Sequence, residues 1–153
     1  MSRLQLALNV DDLEESIAFY STLFGTAPAK TKPGYANFAI AEPPLKLVLV
    51  ESPGQGGSLN HLGVEVSDTA KVDAEQTRLH QAGLASLDER GTTCCYAKQD
   101  KFWVQSTPDA ERWEIYTVLS DADTFSDAQH SGQGSCCGSD VSDEPQPTAS
   151  ACC

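Results

Sequence analysis

The chain has 153 residues, 40% hydrophobic and 21% charged, enough for one globular domain or two small modules sharing a core and too few for a two-domain enzyme. Its 22 acidic and 10 basic residues give a formal charge of −12, a sign that repels phosphate backbones and anionic lipid surfaces and argues against nucleic acid or a membrane as partner. No apolar run approaches the roughly 20 residues of a membrane-spanning helix. The opening Met1-Ser-Arg-Leu-Gln5 has neither a basic nor an apolar signal region, so a cytoplasmic protein is expected.

From the N-terminus, Leu4–Val10 alternates like a strand, and Asp11-Asp12 then caps a helix over 13–24 whose Leu13, Ile17, Tyr20 and Phe24 fall at helical spacing before Gly25. Extended stretches are predicted over Tyr35–Ile40 and Leu45–Val50, with a short additional strand between residues 26 and 32. The segment Ser52-Pro-Gly-Gln-Gly-Gly-Ser58 is a linker by composition, and the same order then begins again. Asn60–Val66 is the second opening strand, Ser67 or Asp68 the cap, and 70–82 a polar helix ended by Gly83; Ser86–Glu89, Asp100–Thr107 and Arg112–Leu119 are extended. The expected fold is α+β, two βαβββ modules of approximately 1–52 and 59–120 around a shared cleft. Residues 121–153 hold six acids and no Lys or Arg, and their Ser, Gly, Ala, Gln, Asp and Pro cannot bury enough apolar surface to offset ordering, so they are expected to be a mostly disordered tail.

On this pattern Gln5 and His61 occupy equivalent places in the repeat, and Glu114 lies on the last strand of the second half. Each alone reads equally well as a hydrogen-bonded polar residue on a strand. Together, an imidazole, an amide oxygen and a carboxylate leave three open positions on an octahedral metal, like the two-histidine, one-carboxylate face of Fe(II) oxygenases with one His replaced by Gln. All six cysteines occur as adjacent pairs, Cys94-Cys95, Cys136-Cys137 and Cys152-Cys153. Neighbouring Cα atoms lie about 3.8 Å apart, below the usual disulfide range, and no C-x₂-C spacing favours zinc. Two adjacent thiolates can chelate one soft centre such as trivalent arsenic where the backbone is not a regular strand, and Gly91-Thr-Thr93 predicts such a loop before Cys94. The bland alternative for Cys94-Cys95 is a pair of small buried hydrophobes, and for the tail pairs either a scavenging role or none in catalysis. Lys98 and Lys101, just beyond the first pair, either lower its thiol pKa, steady an anionic substrate or are merely solvated. His80 and His130 receive no role.

The paired halves with Gln5, His61 and Glu114 resemble the vicinal oxygen chelate superfamily of glyoxalases, extradiol dioxygenases and fosfomycin-resistance proteins. Leu4–Val10, Leu59–Val64, Trp113–Tyr116 and above all the run Thr92-Thr-Cys-Cys-Tyr-Ala-Lys-Gln-Asp-Lys-Phe-Trp-Val104 resemble its ArsI-type carbon–arsenic lyases, over residues 3 to 119. That resemblance implies an Fe(II)-dependent, O₂-consuming enzyme that releases arsenite from trivalent organoarsenicals such as methylarsenite. Gln5, His61 and Glu114 would hold the iron, Cys94 and Cys95 the arsenic, and Lys101, with Tyr96, would lie in the same loop. Many superfamily members carry a fourth ligand on the last strand of the first half, where this chain has only Leu45-Lys-Leu-Val-Leu49. The competing expectations are a non-catalytic binder of arsenic, cadmium or a drug on the same fold, and another enzyme of the superfamily, a glyoxalase or an extradiol dioxygenase. The sequence leaves open a monomer or a homodimer, with the metal site inside one chain or shared.

Overall fold

The structure, a computed structural model, describes residues 2–105 and 107–126. The first half runs β1 (Arg3–Val10), α1 (Leu13–Phe24), β2 (Lys30–Lys32), β3 (Tyr35–Ile40) and β4 (Leu45–Glu51). The second repeats it with β5 (Leu59–Glu65), α2 (Thr69–Gln81), β6 (Ser86–Cys94), β7 (Ala97–Val104) and β8 (Trp113–Asp121). All eight strands form one sheet in the order β2-β3-β4-β1-β5-β8-β7-β6. The halves join where β1 pairs antiparallel with β5, and in each half the first strand pairs parallel with the last, β1 with β4 and β5 with β8.

Each helix covers one half of the outer face, and local chemistry explains where it starts. Asp12 accepts a hydrogen bond from the Glu15 backbone N–H at 2.8 Å, and Gly25 closes α1 in the left-handed conformation. Leu13, Ile17, Tyr20 and Phe24 lay α1 onto Phe38, Leu47 and Leu49, as the helical spacing predicts. Asp68, rather than Ser67, caps α2 through the Lys71 N–H, and Val72 and Leu79 pack on Phe102 and Ile115. Full burial of Phe38 and Phe102 contributes about 2 kcal/mol each from apolar area alone. With both helices on the outer face, the inner face is left for polar residues: Gln5, Asn9, Lys46, His61, Gln99, Lys101 and Glu114 are all buried.

The second half departs from expectation at three places. The loop predicted at Gly91–Thr93 is strand: β6 runs on to Cys94, with a register shift between Glu89 and Thr92. The strand expected over 100–107 is shifted to 97–104, because the reversal falls at Cys95-Tyr96, two residues with no turn preference, instead of at the glycine. The body also extends past residue 120: β8 reaches Asp121, and Ala122–Ser126 pack on the β6–β7 turn through Ala122 N–H to Tyr96 O at 3.0 Å and Cys95 N–H to Phe125 O at 2.7 Å. The rest of the predicted tail, with His130, Cys136, Cys137, Cys152 and Cys153, lies outside the described residues. Removing the α1 cap in Asp12→Ala should lower stability by about 1 kcal/mol in urea melts. An unchanged midpoint would show that the first turn is held by packing alone.

Candidate functional site

The register of three strands assembles the polar centre. Gln5 on β1 lies opposite Gly63 on β5, Gly63 lies opposite Glu114 on β8, and His61 faces Ala7 one pleat away. A Cβ at residue 63 would meet the Glu114 Cγ at 3.1 Å and the Gln5 Cβ and Nε2 at 3.3 Å, so the glycine is what lets these two side chains lie across β5 toward each other. Gln5 Nε2 is 2.9 Å from His61 Nε2 and 2.8 Å from Glu114 Oε1, and His61 Nε2 is 3.3 Å from Glu114 Oε1. The three side chains predicted as ligands therefore meet within one chain.

Their geometry and chemistry fit a metal ion. Bonds of about 2.1 Å at right angles place neighbouring ligand atoms about 3 Å apart, close to the 3.3 Å between His61 Nε2 and Glu114 Oε1, while the Gln5 amide here turns its NH₂ to both and its oxygen to Tyr116. His61 Nδ1 donates to Asn60 Oδ1 at 2.7 Å, since the Asn60 amide donates in turn to Asn9 Oδ1 at 2.7 Å; the His61 Nε2 lone pair is thereby aimed at Glu114 and Gln5. Among the described residues no group of three His, Cys, Asp or Glu side chains makes a metal site, so the amide of Gln5 has to supply the third corner. The place on β4 equivalent to Glu114 is Val48, the partner of Ala7 as Glu114 is of Gly63, so the fourth-ligand position carries no donor.

Two buried lysines flank these donors. Lys101, wholly buried, lies 3.0 Å from Glu114 Oε2 and 3.5 Å from Glu89 Oε2, with its ammonium 4.7 Å from the centre of the Trp103 ring. It ties down one carboxylate oxygen and leaves Oε1 to the Gln5–His61 side. Burial by itself raises a carboxyl's proton affinity; at Glu114 the Lys101 charge overcomes this and holds it far below its ordinary value. Lys101 is thus on a strand against Glu114, not in a loop with the thiols as the resemblance implied, while Lys98 is exposed. On the other side Lys46 reaches the Tyr116 hydroxyl at 3.1 Å and Glu65 at 3.3 Å. Burial and then the Glu65 carboxylate push the Tyr116 phenol well above its ordinary range, so it stays protonated. Trp103 stands edge-on to the His61 ring, 5.5 Å between centres, under the Arg112 guanidinium at 4.5 Å. Asn60, Trp103 and Tyr116 lie inside the runs that carry the family resemblance without a role being read for them, strand alternation puts Glu65 on the face of His61 and Tyr116 on that of Glu114, and Lys46 had no signal beyond its strand.

The thiol pair sits at the tip of the β6–β7 hairpin. Cys94 ends β6, and Cys95 and Tyr96 both take left-handed backbone angles (φ 56° and 59°), costing about 1 kcal/mol apiece for residues with a Cβ. In a regular strand adjacent side chains diverge; here the turn brings the two sulfurs within 3.3 Å, with no disulfide between them. Tyr96 anchors the turn by donating to Pro33 O at 2.9 Å and by packing against Tyr35, ring centres 5.5 Å apart, while Lys30 donates to Tyr96 O at 3.1 Å. Tyr96, Tyr35, Val48, Val50 and Ala7 form one buried cluster with Cys95 against it, and Ala7 is the strand partner of His61. Through that cluster the thiol turn is packed onto the strand that carries Gln5, at Ala7, the strand partner of His61. Beneath it, Gln99 donates to Cys94 O at 3.2 Å, and its buried Oε1 has no hydrogen-bond partner among the described residues.

In Lys101→Met the Glu114 carboxylate loses its main buried cation. In the natural chain unfolded Glu114 binds a proton more readily than folded Glu114, so stability rises with pH up to and through the ordinary value of 4.5. In the variant burial makes the folded carboxyl the better proton acceptor, and this contribution changes sign above that value. Urea melts should show a loss of about 3 kcal/mol at about pH 7 and a clearly smaller one at about pH 4. Equal losses at both would contradict the pairing.

Comparison with known proteins places these features in a family. The profile of the Glyoxalase/Bleomycin resistance protein/Dioxygenase superfamily matches residues 3–115. The chain is 67% identical over 125 residues to a protein named "Cadmium-induced protein CadI" from Mycobacterium tuberculosis (strain ATCC 25618 / H37Rv), covering 82% of each chain. It is 59% identical over 138 residues to a protein named "Trivalent organoarsenical cleaving enzyme" from Thermomonospora curvata, covering 90% of this chain and 89% of that one. Among solved structures, the Mn(II)-bound glyoxalase from Novosphingobium aromaticivorans shares the fold, with a TM-score of 0.54 at 17% identity over 84% of this chain and 44% of the other. Two βαβββ modules on one curled sheet, matched by that profile over both halves, show that the chain belongs to the Glyoxalase/Bleomycin resistance protein/Dioxygenase superfamily.

Proposed function

We propose that the chain is a carbon–arsenic lyase, an Fe(II)- and O₂-dependent enzyme that releases arsenite from trivalent organoarsenicals. The observation that carries this reading is the Cys94–Cys95 sulfur pair, 3.3 Å apart at a strained turn packed on the cluster that includes Ala7, the strand partner of His61. The relative from Thermomonospora curvata, named for cleaving trivalent organoarsenicals, supports it at 59% identity.

In this reading an organoarsenous acid exchanges its two hydroxyls for the sulfurs of Cys94 and Cys95, releasing two waters and leaving the organic group as the third substituent on arsenic. The sulfurs are already gathered by the turn, so little ordering is lost on binding. Gln5, His61 and Glu114 would hold the iron, and as three protein ligands they would leave positions open for the O₂ chemistry it would supply. Lys101 keeps Glu114 ionised and singly oriented, Asn60 keeps the His61 lone pair inward, and Trp103 excludes water from one side of the ring. The buried Gln99 Oε1 is an acceptor beneath the arsenic site. A sequestering protein that holds a thiophilic ion without turnover is the second reading, favoured by the name of the cadmium-induced relative.

The test is arsenic speciation after mixing the reduced, Fe(II)-loaded chain with methylarsenite. Arsenite should appear in air and not under argon, and Cys94→Ser with Cys95→Ser should slow its release at least about 100-fold. Release that persists in the double variant would remove the thiols from the reaction. Intact methylarsenite retained by the protein in both atmospheres would establish the sequestering reading.

A further inference from the structure

The Gln5 amide lies between two sets of groups that both need its NH₂. On one side are His61 Nε2 at 2.9 Å and Glu114 Oε1 at 2.8 Å, two acceptors. On the other is the Tyr116 hydroxyl, 2.5 Å from Gln5 Oε1. A phenol has one proton and two lone pairs. At Tyr116 the Lys46 ammonium, which only donates, takes one lone pair at 3.1 Å. The Glu65 carboxylate, which only accepts, lies 2.8 Å away and claims the proton; it is held there by Arg3 through both oxygens at 3.1 Å and by Lys46 at 3.3 Å. What the hydroxyl still lacks is a donor to its second lone pair. With Gln5 Oε1 facing it, two acceptors compete for a single proton.

A half turn of the amide plane exchanges Oε1 and Nε2 almost in place. It would satisfy Tyr116 completely, Lys46 and Gln5 donating to the hydroxyl and the hydroxyl donating to Glu65. It would also put three acceptors, Gln5 Oε1, His61 Nε2 and Glu114 Oε1, face to face, an arrangement that only a cation can hold together. The geometry points to Tyr116 as the positioning residue that selects the amide oxygen of Gln5 as a metal ligand: without a cation the Gln5 NH₂ bridges His61 and Glu114, and when a divalent cation binds the amide turns over and its NH₂ passes to the Tyr116 hydroxyl. This inference rests on the reading that Gln5, His61 and Glu114 hold a divalent metal. The Lys46–Tyr116–Glu65–Arg3 chain then has a purpose beyond packing, because it fixes the one direction in which Tyr116 can use its proton.

Nuclear Overhauser contacts of the Gln5 side-chain NH₂ test this in the natural chain, using Zn(II) as a diamagnetic probe. In chelator-treated protein the NH₂ protons should lie near the His61 ring; after Zn(II) loading they should lose that contact and gain one to the Tyr116 ring protons ortho to the hydroxyl. Mn(II), which favours oxygen and nitrogen donors over thiolates, gives the affinity by electron paramagnetic resonance: Tyr116→Phe should bind it about tenfold more weakly. An NH₂ that stays against His61 with Zn(II) bound, or a Tyr116→Phe chain that binds Mn(II) within about twofold of the natural one, would overturn the inference while leaving the metal site standing. If His61→Ala binds Mn(II) as well as the natural chain, the metal reading itself fails and this inference with it.

Discussion

The site depends on one row of the sheet, Gln5–Gly63–Glu114, where three strands from two repeats meet. Side chains alternate along a strand, so a slip of one residue in β1 against β5, or in β5 against β8, would send a donor to the outer, helix-covered face. That register is held by the two helix-covered cores, which fix which face of each strand is apolar. Gly63 adds the remaining condition: two large polar side chains can converge over β5 only where β5 has no Cβ. The duplication explains the economy of the arrangement. Equivalent positions supply Gln5 and His61, and asymmetry enters where Val48 stands in place of a second carboxylate.

Electrostatic balance is the second constraint. Glu114, Glu65 and Glu89 line an inner face that would be costly to bury as bare charges, and Lys101, Lys46 and Arg3 answer them at 3.0 to 3.5 Å. Lys101 commits Oε2 of Glu114, so Oε1 is left to the Gln5 amide and the His61 ring. The acidic surplus of the chain is therefore not diffuse at the centre of the fold: the buried carboxylates are paired, and the unpaired surplus lies outside.

Much of this was legible in the sequence, and what was not has a physical reason. Helical spacing from Leu13 to Phe24, the caps at Asp12 and Gly25, and the strand alternation around Gln5 and His61 are local signals, and the structure follows them. Equivalence in the repeat placed Gln5 beside His61 because an antiparallel pair of first strands brings equivalent positions together. The loop expected from Gly91 into the thiol pair narrows to a tight turn at Cys95-Tyr96, because those residues hold left-handed angles through long-range contacts with Pro33, Tyr35 and Phe125, not through intrinsic preference. The strand pattern already held Lys101 in an extended stretch, and only the resemblance put it in the thiol loop; its burial against Glu114 comes from pairing between β7 and β8, which no local signal shows. Tyr116, Lys46 and Glu65 carry no spacing signal, since what joins them is register across three strands.

The strain at Cys95-Tyr96 is held by the packing of Tyr96 and has the effect of gathering two thiols, the use that the proposed reading gives it. The account stands or falls on both centres being filled together in one cleft. Anomalous diffraction at the iron and arsenic edges, from anaerobic crystals of the chain loaded with Fe(II) and phenylarsenite, tests this most directly. The account predicts one iron peak among Gln5, His61 and Glu114 and one arsenic peak between the sulfurs of Cys94 and Cys95. Iron at the thiols, or arsenic bound away from them, would contradict it.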